Sequence, residues 1–367
     1  MRAPAASIVI LLLLLSGGSA VPTQAPPTPF ASAVTALSEP GGYFDTDNLI
    51  SNESSYLQVL PELERRRVRG GAYIGVGPDQ NFSYIAATRP AVAYIVDIRR
   101  DNALLHLLFK AIFHHARTRV EYLALLFGRA APADIEPWRT ATIERLVRYI
   151  DDTPRADATA THRLIETTVR GFGVPLSAED LQTIAGFHQG FAAAGLSLQF
   201  QSAGRAPQWD YPTYRDLLLD TDATGRHGNF LASDETYQFV RGLQERDLVI
   251  PVVGDLSGPS AVVNVGKAIA ARGEKLSAFY VSNVEFYLFR ASSFGRFVEN
   301  LRTLPHAGNA VLIRSFFSRG GFTRDGAGFA PLRAGDNSAS QVQDVDDLLR
   351  GVAAGRIRTY GDLGGQR

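Results

Sequence analysis

Gly71-Ala72-Tyr73-Ile74-Gly75-Val76-Gly77-Pro78-Asp79-Gln80-Asn81-Phe82, followed by Tyr94-Ile95-Val96-Asp97-Ile98-Arg99-Arg100, decides how this chain is read. An apolar run ends in a Gly-x-Gly turn, a helical stretch follows, and a second apolar run ends in an acid about 20 residues beyond the glycines. That is the outline of a β-α-β unit that holds a nucleotide-like ligand. Gly75 and Gly77 would let backbone approach a ligand that a Cβ would hold off. Asp97, at the tip of the second strand, is placed to accept hydrogen bonds from a pair of ribose hydroxyls. Pro78-Asp79-Gln80 stands where a dinucleotide fingerprint has its third glycine, and Asp79 at the helix start is expected to satisfy the helix dipole itself.

Outward from this unit, strands are expected near 72–76, 92–98, 248–255, 277–282 and 309–316, with helices at 79–88, from 101, at 260–272 and at 289–301. Strands alternating with helices at this spacing predict an α/β fold, Rossmann-like, with a mostly parallel sheet and helices on both faces. A long helical insertion, about 115–245, separates the second strand from the third, with its clearest helices at 136–150 and 178–194, the latter capped by Ser177. The tail offers short candidate strands at 329–333 and 356–360 and a helix near 341–353, expected to add an antiparallel edge. Before the first strand a short helix is expected, with Asn52 or Ser54 as cap and Tyr56, Leu57, Val59, Leu60 and Leu63 inward.

Residues 1–20 read as a secretory signal peptide: Arg2, an apolar run from Ala5 to Leu15, and Gly18-Ser19-Ala20 as a small-residue cleavage site. Residues 21–35, carrying Pro22, Pro26, Pro27 and Pro29, are expected to be a disordered or extended linker, leaving 36–367 as one α/β domain with its insertion. The protein is therefore expected to be exported, periplasmic or secreted, with no membrane span in its mature part. With 37 basic and 37 acidic residues the formal charge is zero, which gives no electrostatic basis for binding nucleic acid. Zero cysteines exclude disulfides, thiolate metal sites and a thiol nucleophile.

In such a sheet, ligands bind at the carboxyl ends of the strands. Gly75-Val76-Gly77, Asp97, Gly254-Asp255, Ser282-Asn283 and Arg314-Ser315 fall there. Their order and type resemble the class I S-adenosylmethionine-dependent methyltransferases over about 70–100 and 247–317. That resemblance implies a first glycine turn, Gly75 and Gly77, against the amino-acid part of S-adenosylmethionine. It gives Asp97 to the ribose and Asp255 to the adenine, and turns Asn283, Glu285 and Tyr287 toward the substrate. Gly75-Val76-Gly77-Pro78-Asp79-Gln80-Asn81-Phe82 with Val96-Asp97-Ile98-Arg99-Arg100 is similar also to an uncharacterised bacterial family of that fold, across most of the mature chain. The segment before the first strand is polar and aromatic, and either folds over the rim as a lid, bringing Asn52, Glu53 and Tyr56 to the ligand, or packs on the flank.

Two functions follow from one cleft that takes a small-molecule ligand. One is methyl transfer from S-adenosylmethionine to an unknown acceptor, and the other is non-catalytic binding or scaffolding. No metal is expected, because no His-x-x-x-His accompanies a carboxylate, although His106 and His114 lie roughly on one helix face. Gly254-Asp255-Leu256-Ser257-Gly258 lacks Gly-x-Ser-x-Gly, and Ser257 is read as the cap of the helix after it.

Overall fold

The computed structural model describes residues 28–317 and 333–364, apart from 47, 203, 204, 206, 207 and 334. The expected signal peptide and most of the expected linker lie outside the described residues. The linker's end does not. Residues 29–37 form a helix, α1 (Pro29–Leu37), started by a proline in its first turn and by Thr28, whose hydroxyl accepts from Ala31 N–H at 3.0 Å. Phe30, Ala31, Val34 and Leu37 turn into the core, which anchors this helix behind its single proline, Pro29.

A short 3-10 turn at Tyr56–Val59 and α2 (Leu60–Arg65) bury Tyr56, Leu57, Val59, Leu60 and Leu63, as their spacing requires. Neither expected cap is used: Ser55 is the preceding residue, and the Ser54 hydroxyl instead bonds Asn337 at 2.9 Å.

The sheet then alternates with helices: β1 (Ala72–Gly75), α3 (Gln80–Thr88), β2 (Val92–Asp97) and α4 (Arg100–His115). Among the described residues seven helices separate α4 from the third strand, α5 (Arg119–Leu126), α6 (Glu136–Arg139), α7 (Ile143–Asp152), α8 (Ala158–Gly171), α9 (Ala178–Ala194), α10 (Tyr214–Leu219) and α11 (Asp234–Glu245). The helix expected at 136–150 is thus two helices, broken where Thr142 caps the second. Ser177 caps α9 through a capping box, as expected. Then come β3 (Val249–Val253), α12 (Ala261–Ala271), β4 (Leu276–Ser282), α13 (Val284–Arg290), α14 (Phe294–Thr303), β5 (His306–Phe317), β6 (Ser338–Asp344) and α15 (Val345–Ala353).

The strand order is β3-β2-β1-β4-β5-β6, parallel except for β6, which runs antiparallel to β5. This is an α/β sheet compatible with the Rossmann-like class. β1, β2 and β3 are laid down in one direction and β4 and β5 in the other. Right-handed crossovers therefore put α3 and α4 on one face and α12 on the opposite face. Burial of both faces explains why the parallel strands read as continuous apolar runs.

The antiparallel edge found among the described residues lies between the two expected positions. It is Ser338-Ala339-Ser340-Gln341-Val342-Gln343-Asp344, too polar to be found by an apolar search. Residues 356–359 form no strand, a 3-10 turn begins at Tyr360, and 329–332 lie outside the described residues. No helix among the described residues is long and apolar enough to cross a membrane.

The segment 39–53 crosses the carboxyl edge of the sheet. Glu39 N–H donates to Val253 C=O at 2.9 Å and Gly42 N–H to Ile98 C=O at 2.7 Å. The Glu39 carboxylate accepts from Asp255 N–H, from Ser260 N–H and hydroxyl, and from Ala261 N–H, at 2.8–3.0 Å. It therefore caps α12 from more than 200 residues away, while Ser257 bonds the Asp255 carboxylate instead. Burial pushes the Glu39 acid up, but these donors outweigh it and hold it below the usual carboxylate range. Its contribution is present above pH 4.5, the ordinary value, and fades as pH falls through the lowered one. Replacing Glu39 with Ala is expected to lower unfolding free energy by about 2–3 kcal/mol, with Glu39→Gln losing less. Urea unfolding checks this, and an unchanged midpoint for Glu39→Ala would contradict the capping role.

Candidate functional site

The turn after β1 is organised by Asn81 in the first turn of α3. Its amide NH2 reaches the carbonyls of Val76, Gly77 and Pro78 at 2.8, 3.2 and 2.7 Å, and its Oδ1 accepts from the Tyr73 hydroxyl at 2.8 Å. This decides the role of Gly75. A Cβ there would stand 1.8 Å from Asn81 Oδ1 and 2.8 Å from the Tyr73 ring, so Gly75 is required by the protein's own side chains. It does not line the cleft, which corrects its expected place against a ligand.

Gly77 does line the cleft, in the left-handed region at φ +78°. Its backbone helps to stabilise the Asp97 carboxylate, and its carbonyl accepts from His106 Nε2 at 2.9 Å. His106 is thus tied to the turn and packs edge-on against Phe82 and Phe109, rather than pairing with His114, whose ring meets His115. Burial holds the His106 imidazole neutral, its pKa pushed down to about 4.

The cleft is a cavity of about 450 Å³ at the carboxyl ends of β1, β2, β3 and β4, across the point where the strand order reverses. Asp97 and Asp255 both face it. Asp97, its side chain 11% exposed, accepts from Arg99 N–H at 2.9 Å and lies 3.4 Å from Arg99 Nε. Burial pushes its carboxyl up, against the Arg99 charge and the N–H donors. Asp255 folds onto Ser257, accepting from its N–H and hydroxyl at 2.8 and 2.9 Å.

The segment before β1 supplies the opposite wall. Glu53 is buried yet borders the cavity. Its Oε1 accepts from the Tyr280 hydroxyl at 2.8 Å and from the Ser282 hydroxyl, and its Oε2 from the Ser315 hydroxyl at 2.5 Å. Burial raises its pKa although all three hydroxyls oppose the rise. Ser282 stands at φ +52°, an uncommon backbone for a residue with a Cβ, at the tip of β4 on the cavity wall. Sequence reading named Ser282 as a rim residue but missed Tyr280 and Ser315 as partners of Glu53. No motif links them, because Glu53 lies over 200 residues from all three.

Asn52, Asn283 and Tyr287 line the cavity as expected, with Tyr287 edge-on to Phe44 at 4.7 Å. Besides Gly75, two further expected residues do not. Tyr56 is buried with its hydroxyl donating to Leu217 C=O at 3.1 Å and accepting from Asn229, so it ties the insertion to the core. Glu285 is buried in a two-pronged pair with Arg314, at 2.5 and 3.1 Å, beneath the rim rather than on it. The resemblance implies a substrate role for Glu285 and the lid alternative one for Tyr56, but partners inside the fold, Arg314 for one and Leu217 with Asn229 for the other, turn both side chains inward. Insertion residues Phe200, Gln208 and Tyr211 also line the cavity, contributions no strand-end rule could locate.

Residues 48–144 and 177–353 match a family described as a domain of unknown function (DUF7790). The chain belongs to that family. The matched segments hold about three quarters of the chain, including every rim residue from Asn52 to Tyr287 discussed above. No curated protein matches.

Asp79, expected to neutralise the dipole of α3, does not cap it. Its carboxylate is buried and accepts from the Tyr214 hydroxyl at 2.5 Å. Burial raises its pKa to about 6 from an ordinary 3.8, so the fold binds this proton more tightly than the unfolded chain does. Stability therefore falls as pH rises between those values, by on the order of 1–3 kcal/mol when complete. Asp79→Asn keeps an oxygen for Tyr214 and has no proton to lose. It should unfold at higher urea than the parent at pH 7.5, with the advantage vanishing below about pH 4. Equal midpoints at both pH values would contradict a buried ionised Asp79. Separately, Gly75→Ala should cost about 2–3 kcal/mol through the clash with Asn81, measured in the same way.

Proposed function

We propose that the cleft binds S-adenosylmethionine and that the chain transfers the cofactor's methyl group to a small acceptor, a methyltransferase-type use of this α/β sheet. The observation that carries the reading is the meeting of Gly77 and Asp97 on one wall of a 450 Å³ cavity at the reversal of strand order. Asp97 is the acid suited to a ribose hydroxyl pair, and Gly77 offers backbone without a Cβ in the way. The volume is in the range of small-molecule sites, about 300–1,000 Å³. Asp255 stands on the same rim, toward the adenine in this reading.

When bound, S-adenosylmethionine supplies an electrophilic methyl group. The chain's share is positioning: the rigid glycine turn fixes the cofactor end, while Asn283 and Tyr287 orient the acceptor in line with it. Glu53, its carboxyl raised by burial, is a proton acceptor bordering the same space. Export belongs to the proposal and rests on residues 1–20 alone.

A second reading keeps the cleft and drops the transfer: a non-catalytic binding protein for a nucleoside-like ligand. Glu39 favours it, because its carboxylate already fills the N-terminus of α12 beside Asp255, a place where a ligand would otherwise find free N–H donors. Expected export favours it too, since S-adenosylmethionine is made in the cytoplasm.

Calorimetric titration with S-adenosylmethionine and S-adenosylhomocysteine tests both. Micromolar binding that weakens about a hundredfold in Asp97→Ala is the expected result. No heat at millimolar concentration of either removes the cofactor reading. Heat with adenosine alone, also lost in Asp97→Ala, leaves the binding-protein reading in its place.

A further inference from the structure

His162 on α8 and His188 on α9 bring their rings together, with centres 5.0 Å apart and planes inclined at 80°. Helical spacing puts them there. His162 lies one turn before Ile165 and His188 one turn after Ile184, and both isoleucines are buried. His188 is fully buried, while His162 is half-buried and gives the pair a side toward solvent. The tautomer of His188 follows from its hydrogen bond. Its Nε2 donates to Leu125 C=O at 2.8 Å, so its Nδ1 carries a lone pair. That Nδ1 is buried and has no hydrogen-bond partner, and the same holds for the buried Nε2 of His162. No hydrogen bond joins the two rings, so a shared proton does not account for them. Two buried ring nitrogens without partners cost the fold what an apolar pair would not.

We propose that His162 and His188 hold a divalent transition-metal ion, through Nε2 of the first and Nδ1 of the second. The spacing fits. A ring nitrogen stands about 1.1 Å from its ring centre and about 2.0 Å from such an ion, so two imidazoles sharing one ion at a tetrahedral angle have centres about 5 Å apart. On opposite sides of a linear ion they would stand about 6 Å apart, which sets aside two-coordinate copper(I). The Leu125 carbonyl fits as well. A ligating histidine gives its other ring N–H to a carbonyl or carboxylate, which fixes the ring and leaves the metal-facing nitrogen unprotonated. Burial, with His162 beside it, holds the His188 imidazole below its ordinary 6.5, so the ring is neutral at pH 7.

The donor set names the class of ion. Two imidazoles suit copper(II), nickel(II) and zinc(II), and lack the oxygen ligands that calcium and magnesium require. Among the described residues no third histidine, cysteine or carboxylate completes a cluster, so water would fill the other positions and the ion would exchange. Neither histidine lines the cleft, so the site stands apart from the reading under Proposed function. His162 falls between the two segments that match the family, which makes the pair a property of this chain rather than one the family implies.

The test is calorimetric titration of the full chain with copper(II), zinc(II) and magnesium at pH 7.5, with the electron paramagnetic resonance spectrum of the copper form. The expected result is one copper ion per chain at micromolar affinity or tighter, weaker zinc, no magnesium, and copper coupled to two imidazole nitrogens. Affinity should fall at least about tenfold in His162→Ala and in His188→Gln, and stay unchanged when His114 and His115, the other adjoining histidines, are both replaced by Ala. Melting curves show which variants are folded, and either ligand variant suffices. If neither folds, the parent spectrum decides, since fewer than two coupled nitrogens overturns the assignment. No copper binding at submillimolar concentration overturns it too. So does parental affinity in a folded ligand variant, or a copper site that disappears with His114 and His115.

Discussion

One side-chain amide sets the geometry on which the cleft depends. Asn81 gathers the carbonyls of Val76, Gly77 and Pro78, which forces β1 to end in a tight turn before α3 begins. Those carbonyls have no sheet partner past the end of β1, and buried in this way they would be costly without the amide. The same residue takes the Tyr73 hydroxyl on its other end, so strand, turn and helix are tied at one point. Gly75 is small because Asn81 must fit. Gly77 takes the left-handed conformation, and its carbonyl meets His106. The turn is therefore rigid before any ligand arrives, which is the condition for a binding wall that costs nothing to organise.

The opposite wall is built by chain from far away. Glu39 holds β3 to α12, and Glu53 gathers hydroxyls from β4 and β5. The hydroxyl chain continues from Ser315 to Ser340 at 3.1 Å, from Ser340 to Ser55 at 3.0 Å, and from Ser55 to Ser338 at 2.8 Å. Polar β6 is thereby stitched to the segment that precedes β1. A strand so rich in serine has little apolar burial of its own, and its place at the edge follows from this network and from its pairing with β5.

What the sequence made legible was whatever local pattern controls. The parallel strands were readable because burial on both faces leaves uninterrupted apolar runs, and the cap at Ser177 because it acts within one helical turn. Gly77 and Asp97 were readable as a pair because the β-α-β unit fixes their separation. What stayed hidden depends on distant partners. Glu39 looks like one acid in a turn-rich stretch, yet caps α12. The proline-rich stretch read as linker ends in a helix, because proline starts a helix as readily as it breaks one and Phe30 finds a core. Glu285, expected on the rim from the family resemblance, and Tyr56, expected there from the lid alternative, are held inside by long-range partners, Arg314 for one and Leu217 with Asn229 for the other.

Hydrogen-bond capacity separates the carboxylates of the rim from one another. A carboxylate has about four lone-pair sites. Glu39 meets four donors, Asp255 N–H, Ser260 N–H, the Ser260 hydroxyl and Ala261 N–H, and is saturated by its own chain. Its role is structural, whatever the cleft binds. Asp97 is held mainly by Arg99, through its N–H at 2.9 Å and its side chain at 3.4 Å, with a smaller contribution from the Gly77 backbone. Its orientation is thus fixed by Arg99 while acceptor capacity remains toward the cavity it faces. Glu53 is intermediate, with three hydroxyl donors. Unlike N–H groups, hydroxyls can rotate and accept, so Glu53 can take up a proton and donate it back to a neighbouring oxygen without its surroundings unfolding. Burying either acid costs the fold energy that an apolar side chain would not, and the donors around each offset that cost only in part.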